Sequence, residues 1–304
     1  MDMNTGKRLT AVFETSPEMT FDEGSKFILF SDCHRGDNSW ADDFAHNEHL
    51  YQYALTRYYR TGYTYIEIGD GDELWENNRF EDIRNAHSSV FKLLRRFHEE
   101  GRLVLLYGNH DKERKSAARV AHTLYRYFDE RSGRQVPLLE SITVREGLVL
   151  RHIETGMRIF LVHGHQGDLL SDQLWWFGKL LGRLLWRQLQ LLGIRDPTRP
   201  AVNSVKRKRV ERRLMRWVRS REQMTVTGHT HRPRFPEPGS IPYFNDGSCV
   251  HPRSITGMEI VGGKIALIRW YMSALENGTL RIRRNVLAGP RRLQEYAFSI
   301  QGQS

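Results

Sequence analysis

Residues 26–34, Lys-Phe-Ile-Leu-Phe-Ser-Asp-Cys-His, decide the reading of the chain: four large apolar residues run straight into a polar cluster holding a carboxylate and an imidazole. A run this short and this rich in Phe, Ile and Leu reads as a buried strand. The same sentence of chemistry is written four more times. Tyr63 to Ile68 leads into Gly69-Asp70-Gly71-Asp72-Glu73, and Leu103 to Tyr107 into Gly108-Asn109-His110-Asp111. Met157 to Val162 leads into His163-Gly164-His165, and Met224 to Thr227 into Gly228-His229-Thr230-His231. In α/β sheets, sites collect at the carboxyl ends of strands, which is where all five clusters fall.

Helical patterns lie between these runs, at about Phe44 to Arg60, Phe80 to Glu99 and Lys112 to Tyr127, with Asp42 or Asp43 placed to cap the first. From Val144 onward the pattern turns to hairpins, with turns at Thr155-Gly156, Gly262-Gly263 and Asn277-Gly278. The fold class expected is α/β, a sandwich of two mixed β-sheets flanked by helices, as a single domain over residues 1–304. Residues 168–222 interrupt the rhythm as an inserted basic amphipathic helical hairpin, a cap. Leu174, Phe177, Leu181, Leu184 and Leu192 share one face of its first half, Pro197 and Pro200 divide it, and Val210, Leu214 and Trp217 stripe the second half, Asn203 to Ser220.

Composition narrows the setting. A chain of 304 residues with 39% hydrophobic content can bury a large core, and two cysteines, Cys33 and Cys249, are too few for a disulfide framework. The first twenty residues lack the apolar core of a secretory signal, and no apolar stretch is long enough to span a bilayer. The expected location is the cytoplasm. The net charge of +10 is unevenly spread: between Asp168 and Glu222, 14 Lys and Arg stand against 5 Asp and Glu. Nearly all the excess thus sits in the insertion, which suggests a dedicated anionic partner.

Singly, each strand-end cluster is an ordinary turn or a satisfied histidine. Together they offer aspartate, histidine and asparagine donors with no cysteine, a set suited to borderline or hard divalent ions. The order Asp-x-His, Gly-Asp, Gly-Asn-His-Asp, His, Gly-His-x-His, followed by Asn245-Asp246-Gly247-Ser248, resembles the signature of the calcineurin-like metallophosphoesterases over residues 26–251. That resemblance implies two divalent metal ions, manganese first, with iron, zinc or magnesium as the other choices. By position it puts Asp32, His34 and His231 on one metal and Asn109, His163 and His229 on the other, with Asp70 bridging. It also implies a metal-bridged hydroxide as nucleophile, His110 as the group that meets or protonates the leaving oxygen, and Asp111 as its orienter. Arg35 and His165 are the candidate substrate contacts, Arg35 for a phosphate oxygen and His165 for substrate or for support of His163.

Within that superfamily, Leu74-Trp75 after the acidic cluster and the insertion after His163 look like UDP-2,3-diacylglucosamine pyrophosphatases. The chain departs from them at His110, where they carry arginine, and at His165, where they carry aspartate. The expected function is hydrolysis of a phosphoanhydride or phosphodiester in a phosphorylated small molecule or a lipid-linked nucleotide. Trp175, Trp176, Trp186 and Trp217, interleaved with Lys and Arg, suit peripheral contact with an anionic membrane at its inner surface. Lys206-Arg207-Lys208-Arg209 would equally follow a nucleic-acid backbone, so a nuclease is the next reading. A protein serine/threonine phosphatase ranks below it because Gly69 to Glu76 lacks an Asp-Arg-Gly element, and an inactive scaffold is the remaining alternative.

Overall fold

The computed structural model describes residues 2–168 and 204–298. In chain order its strands are β1 (Glu18–Phe21), β2 (Lys26–Phe30), β3 (Thr64–Ile68), β4 (Leu103–Leu106), β5 (Arg126–Asp129), β6 (Arg134–Pro137) and β7 (Val144–Arg145). They continue as β8 (Gly147–His152), β9 (Arg158–Val162), β10 (Met224–Thr227), β11 (Tyr243–Asn245), β12 (Ser254–Val261), β13 (Lys264–Ala274) and β14 (Leu280–Arg292). The α-helices are α1 (Asp2–Thr15), α2 (Glu48–Arg60), α3 (Phe80–Ala86), α4 (Ser88–Glu99), α5 (Ala117–Val120) and α6 (Ser204–Arg221).

Two mixed sheets form the body. One runs β1-β8-β9-β10-β11 and the other β14-β13-β12-β2-β3-β4-β7, while β5 and β6 make a separate hairpin. The period-2 alternation of the strands explains the layering. Phe27 and Leu29 of β2, Ile66 and Ile68 of β3, and Leu148, Leu150, Ile159 and Leu161 of β8 and β9 point between the sheets and form one core. Ile28, Phe30 and Tyr65 point the other way, into a second core with Tyr51, Leu55, Leu94 and Phe97 of α2 and α4. Val149, Phe160 and Val162 meet Leu9 and Val12 of α1 and Val210, Leu214 and Trp217 of α6 on the outer face of the smaller sheet. Strands buried on both faces read as the unbroken apolar runs from which the sequence argument began.

β2, β3 and β4 are mutually parallel, as are β9 and β10, so their carboxyl ends gather at one edge. The turns at Thr155-Gly156, Gly262-Gly263 and Asn277-Gly278 connect hairpin strands as expected. Asp42 Oδ1 accepts the N–H groups of Phe44 and Ala45 ahead of α2, at 3.0 and 3.2 Å. Two helical expectations fail. Phe80 to Glu99 is split at His87, whose ring is held by Asp42 and Glu48 at 2.7 and 3.0 Å. Lys112 to Tyr127 breaks at Ser116, whose extended backbone ends one helical turn and whose hydroxyl caps the next, and Arg126 already belongs to β5. The helix expected at Asn203 to Ser220 is α6, with the expected stripe buried. The first half of the hairpin, Leu174 to Leu192, with Pro197 and Pro200, lies outside the described residues.

Candidate metal centre

The five strand-end turns converge. Asp32 Oδ1 lies 3.1 Å from His231 Nε2 and 3.8 Å from His34 Nε2. Asp70 Oδ2 lies 3.0 Å from His163 Nε2 and 3.9 Å from His34 Nε2. Three overlapping groups have donor atoms within 4.8 Å of one another: Asp32, His34 and His231; Asp70, His163 and His229; and His34, Asp70 and His110. Asp70 belongs to two of them, so it stands between the two halves of the site. Asn109 is buried beside them, its chain held by the Trp75 indole N–H, which donates to the Asn109 carbonyl at 2.6 Å.

Each carboxylate is anchored by one oxygen and aimed with the other. His229 N–H donates to Asp32 Oδ2 at 2.9 Å, and His110 N–H donates to Asp70 Oδ1 at 2.8 Å, which leaves Asp32 Oδ1 and Asp70 Oδ2 facing the histidines. The imidazoles are fixed from behind in the same way. His34 Nδ1 bonds Glu73 at 2.9 Å and His163 Nδ1 donates to the Ile68 carbonyl at 2.8 Å, so the Nε2 atoms face inward. That is the outer support expected of metal-binding histidines. Asp32 Oδ1, His34 Nε2, Asn109 Oδ1, His163 Nε2 and His229 Nε2 are all buried without a hydrogen-bond partner. Buried polar atoms are rarely left so, and five of them converging from four turns fit a divalent cation pair.

The backbone carries a matching signature. Asp32, His34, Asp70, His229 and His231 have φ between 49° and 65°, the left-handed region that residues with a Cβ seldom adopt. Such strain collects at functional sites, where surrounding structure holds it in place. Close approach demands glycine at two points. A Cβ on Gly108 would lie 2.1 Å from Asp70 Oδ1, and one on Gly228 would lie 2.5 Å from Asp32 Oδ2.

Electrostatics follow from the crowding. Burial alone would raise Asp70, but His163, His110 and His34 hold its carboxyl well below the usual range. Burial would lower His163, yet Asp70 and Asp32 raise it to about 9. His229 is lowered by burial and by His163 to about 3. Behind Asp32, Ser31 Oγ lies 2.5 Å from Asp32 Oδ2 and 2.7 Å from Asp246 Oδ1. Burial and the Asp32 charge push the Asp246 carboxyl well up, and the Ser31 hydroxyl bridges the two carboxylates.

Two sequence expectations are corrected, and the choice left open for His165 is narrowed. Arg35 is not available to a phosphate oxygen: it is buried, with both terminal nitrogens on Glu67 at 2.7 and 2.8 Å and Nε on Asp72 at 2.6 Å. Asp111 does not orient His110; its carboxylate accepts the N–H groups of Gly108 and Gly71, at 2.6 and 3.1 Å, and burial pushes it up to about 7. The orienter is Glu73, 2.7 Å from His110 Nδ1, while Trp75 stacks on the His110 ring at 4.1 Å. His165 is fully buried, 4.0 Å from Glu146, which fits support of its neighbour His163 rather than contact with substrate. Glu67 was the missed signal. A single glutamate in the apolar strand Thr64–Ile68 demands a buried cation, and Arg35 is that cation.

A family model described as calcineurin-like phosphoesterase matches residues 25–233. No curated protein matches the chain significantly. Among solved structures, Vps29 of Entamoeba histolytica, complexed with zinc, is similar over 86% of this chain and 98% of its own, at 15% identity and a TM-score of 0.35. Vps29 of Chaetomium thermophilum covers 86% and 95% at 12% identity and a TM-score of 0.41. A cold-active protein-tyrosine phosphatase of a psychrophilic Shewanella species covers 86% and 81% at 15% identity and a TM-score of 0.37.

Proposed function

Because the chain belongs to the calcineurin-like phosphoesterase family, we propose that it hydrolyses a phosphoanhydride or phosphodiester at the centre formed by Asp32, His34, Asp70, Asn109, His163, His229 and His231. The observation that carries this reading is the set of buried donor atoms without hydrogen-bond partners on five of those residues. Two divalent cations, manganese by preference, would be held there and would neutralise phosphoryl charge and acidify a water. The residues do the rest. Asp70 ties the two halves of the site together, and Asp32 and Asp70 each keep one oxygen aimed inward. His110, with Nδ1 turned to Glu73, presents Nε2 to the leaving oxygen and exchanges a proton there; burial lowers its pKa, and the Glu73 carboxylate opposes that shift.

For substrate, we favour a lipid-linked nucleotide resembling UDP-2,3-diacylglucosamine, met in the cytoplasm at the inner membrane surface through residues 168–222. Support comes from α6, which exposes Lys208, Arg209, Arg212, Arg216 and Arg219. Its first turn reaches the site, since Lys206 pairs with Asp168 at 2.8 Å and Asp168 lies 4.0 Å from His229. One observation favours a second reading, action on nucleic acid: Val210, Leu214, Trp217 and Val218 face the body, so the outer face of α6 is chiefly cationic, with Val205 its one large apolar side chain out in water. No helix among the described residues is long and apolar enough to cross a membrane. Incubation of the manganese-loaded protein with a lipid-linked nucleotide, a single-stranded oligonucleotide and bis-p-nitrophenyl phosphate, with products read by mass spectrometry, tests both. Cleavage of the first at the anhydride supports the main reading, cleavage of the second alone supports the nuclease, and no cleavage of any rejects both.

A further inference from the structure

Trp40 is 86% exposed, more than any other large hydrophobic side chain among the described residues. It sits in the loop directly after Asp32 and His34, and that loop is stiff. Asp42 accepts N–H groups from Asn38, Phe44 and Ala45 and bonds the His87 ring, while Ser39 N–H donates to Asp37 and Ala41 N–H to Ser39 Oγ. Trp40 is therefore held out in water by a braced turn. Beside it opens a cavity of about 310 Å³ lined by Asn38, Ser39, Trp40, Asp42, Ala45 and His46. The cavity lies on the loop that leaves the metal centre: a Cβ on Gly36 would lie 2.9 Å from Asp42, and Gly36 is two residues past His34, a span of at most about 7 Å.

We infer that this pocket takes a nucleobase of the substrate, stacked on Trp40, with Asn38 and Ser39 as hydrogen-bonding groups at its edge. The inference rests on the phosphoesterase reading and names the part of the substrate that lies outside the chemistry. An acyl chain would not suit a lining in which four of six residues are polar, and none of the six is a lysine or arginine that would hold a phosphate on this wall. A flat ring with a polar rim satisfies both conditions, and any base offers a face for an aromatic platform. The braced turn fixes the backbone on both sides of Trp40, so binding has only the indole side chain itself to order.

Titration calorimetry of uridine 5′-monophosphate and ribose 5-phosphate against the full-length protein in chelator tests this without turnover. The wild type should bind the nucleotide about 10-fold more tightly than the sugar phosphate, and Trp40→Ala should reduce that preference to near one, with Trp40→Phe keeping most of it. Equal binding of both ligands by the wild type, or an unchanged preference in Trp40→Ala, overturns the inference. Melting curves show whether the variants fold, and Trp40→Phe provides a second variant should Trp40→Ala fail. Manganese-dependent turnover of bis-p-nitrophenyl phosphate, measured in parallel, keeps the two readings apart: its absence in the wild type rejects the phosphoesterase, while its presence without base preference rejects only the role of Trp40.

Discussion

Asp70 Oδ2 and His163 Nε2 stand 3.0 Å apart at the ends of strands from different sheets, one of the approaches that join the two halves of the sandwich at the site. The approach is not aligned as a hydrogen bond, and His163 Nε2 is otherwise unpartnered. Asp70 is where a cation on either side would find its shared oxygen donor.

Asp70→Ala should therefore lower manganese-dependent turnover of bis-p-nitrophenyl phosphate by about 10³-fold, the loss of several kcal/mol of charge stabilisation, while the protein still folds. Turnover within a few-fold of wild type, with an unaltered melting curve, would refute its place between the two halves.

Glu73 and Asp111 separate cleanly. Glu73→Gln should weaken manganese binding about 10- to 100-fold and lower kcat, because it frees both His34 and His110. Asp111→Asn should act mainly on stability, since its partners are the backbone N–H groups of Gly71 and Gly108. Metal titration and kcat on both variants check this, and the reverse ranking would restore Asp111 as the orienter of His110.

Arg35→Met should destabilise by about 3–5 kcal/mol in urea unfolding of the metal-free protein, because it leaves the buried Glu67 carboxylate without its cation and Asp72 with Arg114 alone. Arg35→Lys should recover little of this, lacking the fork that spans both partners. A raised KM with wild-type stability would instead return Arg35 to the substrate.

Much of this was legible because each strand is a short apolar run and each donor follows it at once, so strand ends and donors can be read together. The pairing of Arg35 with Glu67 was not, since partners distant in sequence leave no periodic trace and only the isolated charge in Thr64–Ile68 hints at it. Nor was the role of Glu73, because whether Glu73 or Asp111 faces His110 depends on how two turns meet. The helix α1 and the break at Ser116 escaped for a third reason: tertiary packing and a local cap override helical pattern there.

His87 supplies a pH test remote from the donors. Burial would lower its pKa, but the Asp42 and Glu48 carboxylates raise it above the ordinary value of 6.5. A folded pKa above the unfolded one gives stability that is fully present below about pH 6.5 and is lost as pH rises through the folded value. The stability difference between wild type and His87→Gln should accordingly be larger at about pH 5.5 than at about pH 9. Urea unfolding at both values checks it, and a difference that grows with pH would contradict the ion pair.

Metal content is the most direct measure of the whole account. Manganese-reconstituted wild type, freed of loose metal and analysed by mass spectrometry for metal per chain, should carry close to two ions, and Asp70→Ala distinctly fewer. A wild type that binds none, or an Asp70→Ala variant that keeps the full complement, would contradict it.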